Sequence, residues 1–365
     1  MSDQKRGFAS DNYAGIHPAV LAAITAVNIG HDIAYGDDAT TALLASIVAD
    51  QFGPNSKVFP VFNGTGGNVV ALTAVCARWQ AVICADSAHI HVDEGGAPET
   101  MGGIKLWTVG TPDGKLTPEL IRTQLFDIGS VHRAQPAVIS ITQATELGTL
   151  YTLEEVRAIA DLAHEHNLLL HMDGARLSNA VEALTRDLGR HVSFYEITTG
   201  SGVDILTFGG TKIGAMCAEG VIILSNSETL PEAVKFLRKT SMQLASKMRF
   251  ISAQLVALLA DNAGLARANA QHANAMTQDL ELGILNIADG DPRVILRNRA
   301  DANSVFPILP QYVIDQLSQQ FRFYIWNVEQ RMVRWMCSWD TTPEDVAALL
   351  AALAGALAQP ETTTK

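Results

Sequence analysis

Two short apolar segments of this chain are each followed by a residue with a charged, chemically reactive side chain. Residues 168–172 (LLLHM) run directly into Asp173, and residues 205–208 (ILTF) are followed by a short turn that ends on Lys212. Nearly continuous apolar runs of this length are typical of strands that helices cover on both faces of a parallel sheet. Ligands bind outside the carboxyl ends of the strands in such sheets. Asp173 and Lys212 are therefore predicted to lie at the same edge.

A lysine and an aspartate at one sheet edge have two interpretations. They form a buried salt bridge between neighbouring strands, or they hold pyridoxal phosphate. That cofactor needs a lysine for its Schiff base and an acidic partner for its pyridine nitrogen. The pair by itself does not decide between these interpretations, so the choice depends on the rest of the chain.

The order of the predicted elements indicates an α/β fold with a mostly parallel sheet, because strand-like and helix-like segments alternate. Thr152 and Glu155 predict a capping box at the start of one helix, and Thr342 predicts the cap of the final helix. The predicted strands are residues 58–62, 81–84, 137–142, 168–172, 205–208 and 221–224.

The chain has 365 residues, which exceeds one typical domain. A long helical pattern at residues 232–271 marks the expected boundary, which we place near Ala245. The prediction is a large domain at 1–245 that includes an N-terminal arm, and a smaller α+β domain at 246–365. Strands of the smaller domain are expected around residues 302–309, 321–326 and 332–338.

Composition limits the possible partners. A net charge of −12 argues against binding to nucleic acid or to anionic membrane surfaces, since neither attracts an acidic protein. No apolar run is long enough to span a bilayer. The four cysteines are scattered, as expected of reduced thiols, and residues 1–7 lack the apolar segment of a signal peptide. These features predict a cytoplasmic protein, and they say little about a small-molecule substrate.

The segment at residues 63–68 (NGTGGN) lies between a predicted strand and a predicted helix. Such a junction presents backbone N–H groups at a helix N-terminus, where the helix dipole favours anions. The glycine spacing fits neither a Walker motif nor a dinucleotide-binding motif. The segment is therefore a candidate site for the cofactor phosphate, and otherwise an ordinary turn.

His89 follows the predicted strand at 81–84, so it is expected at the same sheet edge, where it would stack on a cofactor ring. It belongs to a cluster with His91, Asp93 and Glu94. The cluster also raises the possibility of a metal site, but its spacing matches none of the zinc patterns. We predict no metal.

Several segments resemble the low-specificity L-threonine aldolases. Those segments are residues 8–13 (FASDNY), 34–38 (AYGDD), 141–146 (ITQATE), 171–176 (HMDGAR), 208–212 (FGGTK), 243–249 (QLASKMR) and 334–340 (RWMCSWD). The resemblance runs essentially from end to end. It implies an aspartate-aminotransferase-like large domain (fold type I), pyridoxal phosphate as cofactor, and an aldehyde-lyase activity. The implied reaction is the retro-aldol cleavage of L-threonine, L-allo-threonine and related β-hydroxy-α-amino acids to glycine and an aldehyde.

The resemblance also implies how the cofactor is held. Lys212 matches the Schiff-base lysine, with Thr211 beside it at the phosphate, and Asp173 matches the partner of the pyridine nitrogen. Gly64 and Thr65 match the phosphate cradle.

Further residues match groups around the cofactor and the substrate. His89 matches the histidine stacked on the pyridine ring. Arg249 resembles a basic residue that reaches the phosphate region from a neighbouring subunit. Ser10, Arg176 and Arg334 match groups that hold the substrate carboxylate, and Arg176 also lies beside the cofactor.

The general base is left open at this point. Many relatives carry a second active-site histidine where this chain has Glu146. The candidates are Asp93, Glu146, His132 and a water held by His89, and we take His89 and Asp93 together with Lys212 as the predicted catalytic residues.

Two alternative functions remain on the same frame, namely a β-eliminating lyase or aminotransferase, and a non-catalytic relict. The segments at residues 8–13 and 243–249 lie near subunit boundaries in the resembling family. A homodimer or a homotetramer is therefore expected.

Overall fold

The computed structural model describes residues 6–359 and divides them into two compact units. One unit comprises residues 16–267, and the other combines residues 6–15 with residues 268–359. This division differs from the predicted domains at 1–245 and 246–365. The N-terminal arm groups with the C-terminal unit because Phe8 donates its N–H to the carbonyl oxygen of Arg322 at 2.7 Å and packs edge-on against Phe321.

The unit at residues 16–267 is built on a seven-stranded sheet with the order β1-β7-β6-β5-β4-β2-β3. Within it only β7 runs antiparallel to its neighbours. In chain order, β1 to β7 are Lys57–Val61, Gln80–Ala85, Lys105–Val109, Gln135–Thr142, Leu169–Gly174, Ile205–Gly209 and Glu219–Ile223.

All six predicted strands of the large sheet are confirmed within a few residues. The seventh, β3, was not predicted, because it lies at the edge of the sheet and alternates exposed and buried residues instead of forming an apolar run. The strand β7 begins at Glu219, two residues before its predicted start. That difference brings a charged residue into the buried end of the strand.

Helices cover the sheet, and their caps follow the sequence signals. The capping box of α7 is confirmed, since the Thr152 hydroxyl accepts from the Glu155 N–H at 3.2 Å and Glu155 accepts from the Thr152 N–H at 2.8 Å. The helices α1 to α10 are Pro18–Ala26, Ala39–Phe52, Gly64–Val75, His89–Val92, Ala97–Gly102, Pro118–Arg122, Leu153–Glu165, Leu177–Leu188, Phe194–Ile197 and Leu230–Thr240.

The predicted continuous helix at residues 232–271 is wrong. The structure has α10, which ends at Thr240, and a separate α11 at Met248–Ala288. Met242 in the intervening segment has a left-handed φ of 59°, which an α-helix does not accommodate. The predicted boundary near Ala245 falls in this non-helical segment. A second interruption lies within α11, where Ala260 to Ala263 leave the helical conformation.

The other unit holds a small antiparallel sheet, α12 (Gln311–Gln320) and α13 (Pro343–Leu357). Its core centres on Phe8, Trp335 and Val333, each fully buried. Its strands β8 to β12 are Ile295–Leu296, Ser304–Val305, Pro307–Ile308, Tyr324–Asn327 and Met332–Met336.

The three strand regions predicted here are confirmed, and 302–309 divides into two short strands. The cap of the final helix is also confirmed, since Thr342 and Asp345 form a capping box. No helix within residues 6–359 is long and apolar enough to cross a membrane.

Candidate active site

The carboxyl ends of β4, β5 and β6 lie side by side at one edge of the large sheet. The strand register pairs Asp173 with Thr142 on one side and with Thr207 on the other. Lys212 lies three residues after the end of β6, in the 3-10 turn Thr211–Ile213. Close packing at this edge requires glycine at position 209, since an added Cβ would clash with the backbone of Ala175. The structure thus places both predicted residues at one sheet edge.

Asp173 is buried, at 4% exposure, and its carboxylate is held on both oxygens. Oδ2 accepts from Asn68 Nδ2 at 2.8 Å, and Oδ1 accepts from the Ala175 N–H at 3.0 Å. The Asp173 carboxylate is therefore fixed in position at this edge of the sheet.

The side chain of Asn68 links two carboxylates. Its Nδ2 donates to Asp173 Oδ2 and also to Glu94 Oε1, both at 2.8 Å. A carboxamide NH₂ has two hydrogens, so one amide nitrogen serves both acceptors. Asn68 is 1% exposed and lies on the buried face of α3. Asn68 therefore holds the carboxylates of Glu94 and Asp173 in fixed positions relative to each other.

His89 is held by the same Glu94. Its Nδ1 lies 2.9 Å from Glu94 Oε1, and the Glu94 side chain is only 1% exposed. The hydrogen bond to Glu94 raises the pKa of His89, burial opposes the rise, Asp173 raises the pKa further and Lys212 lowers it. His89 therefore lies close enough to Asp173 and Lys212 for both charges to affect its pKa. A carboxylate at Nδ1 selects the tautomer with the proton there, which leaves Nε2 as the acceptor.

Glu146 contacts the backbone of His89 instead of its ring. Its Oε1 accepts from the His89 N–H at 2.8 Å. Burial raises the pKa of Glu146, hydrogen bonds from its own backbone and from His89 lower it, and the nearby Asp173 raises it. Glu146 Oε2 is buried without a hydrogen-bond partner among the described residues. Glu146 therefore positions the turn that carries His89.

The other two candidate bases, Asp93 and His132, are exposed to solvent. Asp93 is exposed and ends α4, and His132 is exposed in the loop before β4. The carboxylate that contacts the His89 ring belongs to Glu94, the neighbour of Asp93. Two adjacent acidic residues have the same signal in the sequence, and only the path of the chain after α4 turns one of them inward.

The N-terminus of α3 has the character of an anion site. Its cap residue Asn63 accepts from the Gly66 N–H at 2.7 Å, while the N–H groups of Gly64 and Thr65 belong to the first turn, which has no intrahelical acceptors. An added Cβ at Gly64 would meet open space, whereas one at Gly66 would clash with Gln243. Gln243 Oε1 in turn accepts from the Phe62 N–H at 3.0 Å. The loop is thus open at Gly64 and closed by Gln243 at Gly66.

The turn that carries Lys212 is anchored by Glu219. Glu219 Oε2 accepts from the Gly210 N–H at 2.6 Å, and the Thr211 hydroxyl accepts from the Ala218 N–H at 3.3 Å. The Lys212 side chain is half-buried. These contacts fix the backbone on both sides of the lysine.

Arg249 lies in the first turn of α11 and lines a cavity of about 450 Å³ with Lys247, Ser246 and residues 30–34. Its guanidinium packs over the ring of Phe250 at 5.1 Å. The lining of this cavity includes neither Lys212 nor Asp173. Within this unit, Arg249 and Lys247 therefore line a cavity that is separate from the residues Lys212 and Asp173.

The predicted carboxylate-binding residues are distributed over both units. Arg176 is half-buried at the start of α8, directly after β5. In the other unit, Arg334 of β12 donates from Nη2 to the carbonyl oxygen of Ala9 at 3.0 Å, and its guanidinium stacks over Trp326 at 4.6 Å. Ala9 precedes Ser10, which caps the turn Asp11–Tyr13. Ser10 and Arg334 are thus neighbours within one unit.

Sequence reasoning missed Asn68 and Glu219, and it did not distinguish Glu94 from Asp93. Asn68 carried a weak signal, since it ends the glycine-rich segment and lies one helical turn after Gly64. Glu219 also carried one, because a charged residue at the start of an apolar strand needs a partner.

Comparison with known proteins identifies the family of the chain. Residues 7–305 match the family model described as beta-eliminating lyase. The chain is 41% identical over 353 residues to the low specificity L-threonine aldolase of a Pseudomonas species, which covers 96% of this chain and 98% of that protein. It is 40% identical over 351 residues to the protein of the same name from Pseudomonas aeruginosa, covering 96% and 97%.

Solved structures agree on the fold. The threonine aldolase of Leishmania major superimposes with a TM-score of 0.88 at 28% identity, covering 97% of this chain and all of that one. The aspartate aminotransferase of Thermus thermophilus superimposes with a TM-score of 0.67 at 16% identity, covering 96% and 90%. The predicted aspartate-aminotransferase-like fold is confirmed.

Proposed function

Because this chain belongs to the low-specificity L-threonine aldolases, within the beta-eliminating lyase family, we propose that it cleaves L-threonine and related β-hydroxy-α-amino acids to glycine and an aldehyde. The family and its fold are those of pyridoxal-phosphate-dependent enzymes. The observation that carries the proposal is the buried Asp173, held on both carboxylate oxygens at the sheet edge that also carries Lys212.

The residues present fit pyridoxal phosphate. The N–H groups of Gly64 and Thr65 lie at a helix N-terminus beside open space, which suits a phosphate. Asp173 offers a fixed carboxylate for a protonated pyridine nitrogen, and Lys212 offers the amine that would hold the cofactor. Thr211 and Arg176 adjoin these residues in sequence. Arg249 lines a cavity that includes neither Lys212 nor Asp173, so its assignment is to the cofactor phosphate of a neighbouring subunit. When bound, the cofactor supplies an electron sink for the charge left on Cα.

His89 is the proton acceptor that the geometry favours. Glu94 holds the Nδ1 proton, so Nε2 can take the proton of the substrate β-hydroxyl directly or through a water. This arrangement of a base oriented by a carboxylate recurs in unrelated hydrolases. Raising the pKa of His89 also strengthens it as a base. Asp93, Glu146 and His132 remain predictions for the same role.

The substrate carboxylate needs a cation, and we assign it to Arg176 and Arg334, with Ser10 as a hydroxyl donor. A planar guanidinium binds a carboxylate through two parallel hydrogen bonds. The stacking of Arg334 on Trp326 and Tyr324 orients that plane, which reduces the conformational freedom lost when the substrate binds.

The test is to supply full-length protein with pyridoxal phosphate and L-threonine and to quantify glycine, acetaldehyde and 2-oxobutanoate. Glycine and acetaldehyde in equal amounts are expected. Formation of 2-oxobutanoate would instead identify a β-eliminating lyase, and the absence of all three products would indicate a relict. Lys212→Ala should lower turnover by about 10³-fold or more, as expected for a covalent catalyst. Lys235→Ala, which removes an exposed lysine of α10, is the matched control.

We further propose that the active protein is a homodimer or homotetramer. The segment that lines the cavity of Arg249 presents large apolar side chains to solvent, with Ile29, Ile33 and Tyr35 exposed by 76%, 66% and 48%. Clustered exposed apolar residues mark interaction surfaces. Light scattering at assay concentration should give a mass of two or four chains, and an active monomer would contradict the proposal.

We also assign the enzyme to the cytoplasm. Cys76, Cys84, Cys217 and Cys337 are all free thiols, and free thiols are typical of proteins in a reducing compartment. Cell fractionation of the native host, with antibody detection of the full-length protein, tests this assignment. Recovery outside the cytoplasmic fraction would contradict it.

A further inference from the structure

The N-terminal arm carries Ser10 on a backbone that is fixed on both sides of this residue. Before Ser10, the carbonyl oxygen of Ala9 accepts from Arg334 Nη2 at 3.0 Å. After it, the Asp11 N–H donates to Met336 Sδ at 3.4 Å. Both partners belong to β12. The arm is therefore attached to one strand of the small sheet immediately before and immediately after Ser10.

The Asp11 side chain is a buried carboxylate that the proposed function does not use. It is 2% exposed, and its Oδ2 accepts from Asn303 Nδ2 at 3.1 Å. A carboxylate removed from water is stable only if hydrogen bonds replace those that water made. Asn303, also 2% exposed, supplies one of these bonds from a position 292 residues away in sequence. The contact therefore ties the arm to a distant part of the chain.

Asn303 is fixed in turn by the small antiparallel sheet. It directly precedes β9, which pairs with β12. Its carbonyl oxygen accepts from the Cys337 N–H at 3.0 Å, and its Nδ2 also donates to the carbonyl oxygen of Cys337 at 2.9 Å. One carboxamide NH₂ has two hydrogens, so the same nitrogen serves the sheet and the arm. Asn303 thus joins Asp11 to the end of β12.

The side chain of Ser10 keeps a hydrogen that it can donate. Its Oγ accepts from the Asn12 N–H at 3.2 Å, and a hydroxyl that accepts through its oxygen can still donate its hydrogen to an anion. A serine side chain has one rotatable bond to its oxygen, so the backbone on either side decides where the hydroxyl lies. A displacement of Asp11 would therefore move the Ser10 hydroxyl.

We propose that Asn303 is a positioning residue for recognition of the substrate carboxylate: by holding the Asp11 side chain, it fixes the position of the Ser10 hydroxyl. The inference rests on the proposed function, which assigns Ser10 and Arg334 to that carboxylate. Asn303 acts through Asp11 and has no substrate contact in this assignment. Its loss weakens binding of the carboxylate and leaves binding of the substrate amine unchanged.

The experiment titrates the full-length protein, loaded with pyridoxal phosphate, with glycine and separately with glycinamide, and it follows the absorption band of the bound cofactor. The two probes share an amine and differ in the carboxylate. In Asn303→Leu the Kd for glycine should rise about tenfold, as expected for one hydrogen bond to a charged group, and the Kd for glycinamide should not change. Gln319→Leu, exposed on α12, is the matched control and should leave both constants unchanged.

Equal losses of affinity for glycine and glycinamide would overturn the inference, because they would indicate a general disruption of the site. An unchanged Kd for glycine would also overturn it. If Asn303→Leu does not fold, Asp11→Asn decides, since it keeps the size of the side chain and an accepting oxygen for Asn303. A neutral acceptor binds more weakly than a carboxylate, so the Kd for glycine alone should rise about threefold. An unchanged value in Asp11→Asn would overturn the inference.

Ser10→Ala separates this inference from the proposed function. If the Kd for glycine rises in Ser10→Ala but not in Asn303→Leu, the assignment of Ser10 stands and the inference is wrong. If the Kd for glycine is unchanged in Ser10→Ala, the assignment of Ser10 in the proposed function is wrong, and the inference is overturned with it.

Discussion

The two sides of the candidate site are built in different ways. On the side of Asp173, the contacts are between side chains of distant segments: Asn68 lies 26 residues from Glu94 and 105 residues from Asp173 in sequence. On the side of Lys212, Glu219 bonds to the backbone of a turn nine residues away. The difference shows that one side depends on the packing of three elements, whereas the other is held within a single β-hairpin connection.

From this comparison we predict that turnover depends more on the negative charge of Asp173 than on its individual hydrogen bonds. Asp173→Asn loses the negative charge and keeps one of the two accepting oxygens, so it can accept from either Asn68 or Ala175. Turnover of L-threonine should fall by about 10²-fold or more, the usual loss when one preorganised electrostatic partner is removed. Thermal stability should fall by about 1 kcal/mol, because only one of the two hydrogen bonds can be remade by the single oxygen of Asn. A variant within tenfold of the unaltered turnover would show that the ring nitrogen pairs elsewhere.

The second prediction concerns Glu94, at the other end of the Asn68 bridge. Glu94→Gln preserves an acceptor for His89 Nδ1 and removes the charge, so the pKa of His89 should fall. A base must be neutral to act, and the hydrogen bond to Glu94 places the pKa of His89 above its ordinary value of 6.5. The acid limb of the pH–rate profile should therefore lie above pH 6.5 in the unaltered enzyme and move lower in the variant.

Turnover on the plateau should fall by about tenfold in Glu94→Gln, because a weaker base transfers the proton less readily. Glu99→Gln, on the exposed side of α5, is the matched control for loss of one charge. Asp93→Asn gives the opposing test. If that variant moves the acid limb and Glu94→Gln does not, the buried carboxylate is not the one that tunes the base.

The smallest effect on turnover is expected at Arg334, where the contacts are local and the binding partner is the substrate. Arg334 is opposite Tyr324 in the β11–β12 ladder, and Arg334→Lys keeps the charge but loses the planar fork. The expected result is a rise in KM for L-threonine of about tenfold, with kcat changed less. An unchanged KM would show that the carboxylate binds elsewhere.

The sequence by itself determined the strands whose carboxyl ends carry the reactive residues. Strand composition placed Asp173 and Lys212 at strand ends, and the strand-end rule for parallel sheets brought them to one edge. Caps such as Thr152 with Glu155 were also local, because a capping box involves residues three positions apart. The edge strand β3 was not predicted, because it lacks the continuous apolar run by which the other strands of the sheet were recognised.

Only the tertiary structure decided which polar side chains support those residues. Asp93 and Glu94 are indistinguishable in the sequence, yet the chain path buries one and exposes the other. Asn68 became a bridge because α3 packs its inner face against β5, and Glu219 became an anchor because β7 runs antiparallel beside β6. Hydrogen-bond partners separated by many residues depend on strand order and register, and the composition of a segment does not encode either.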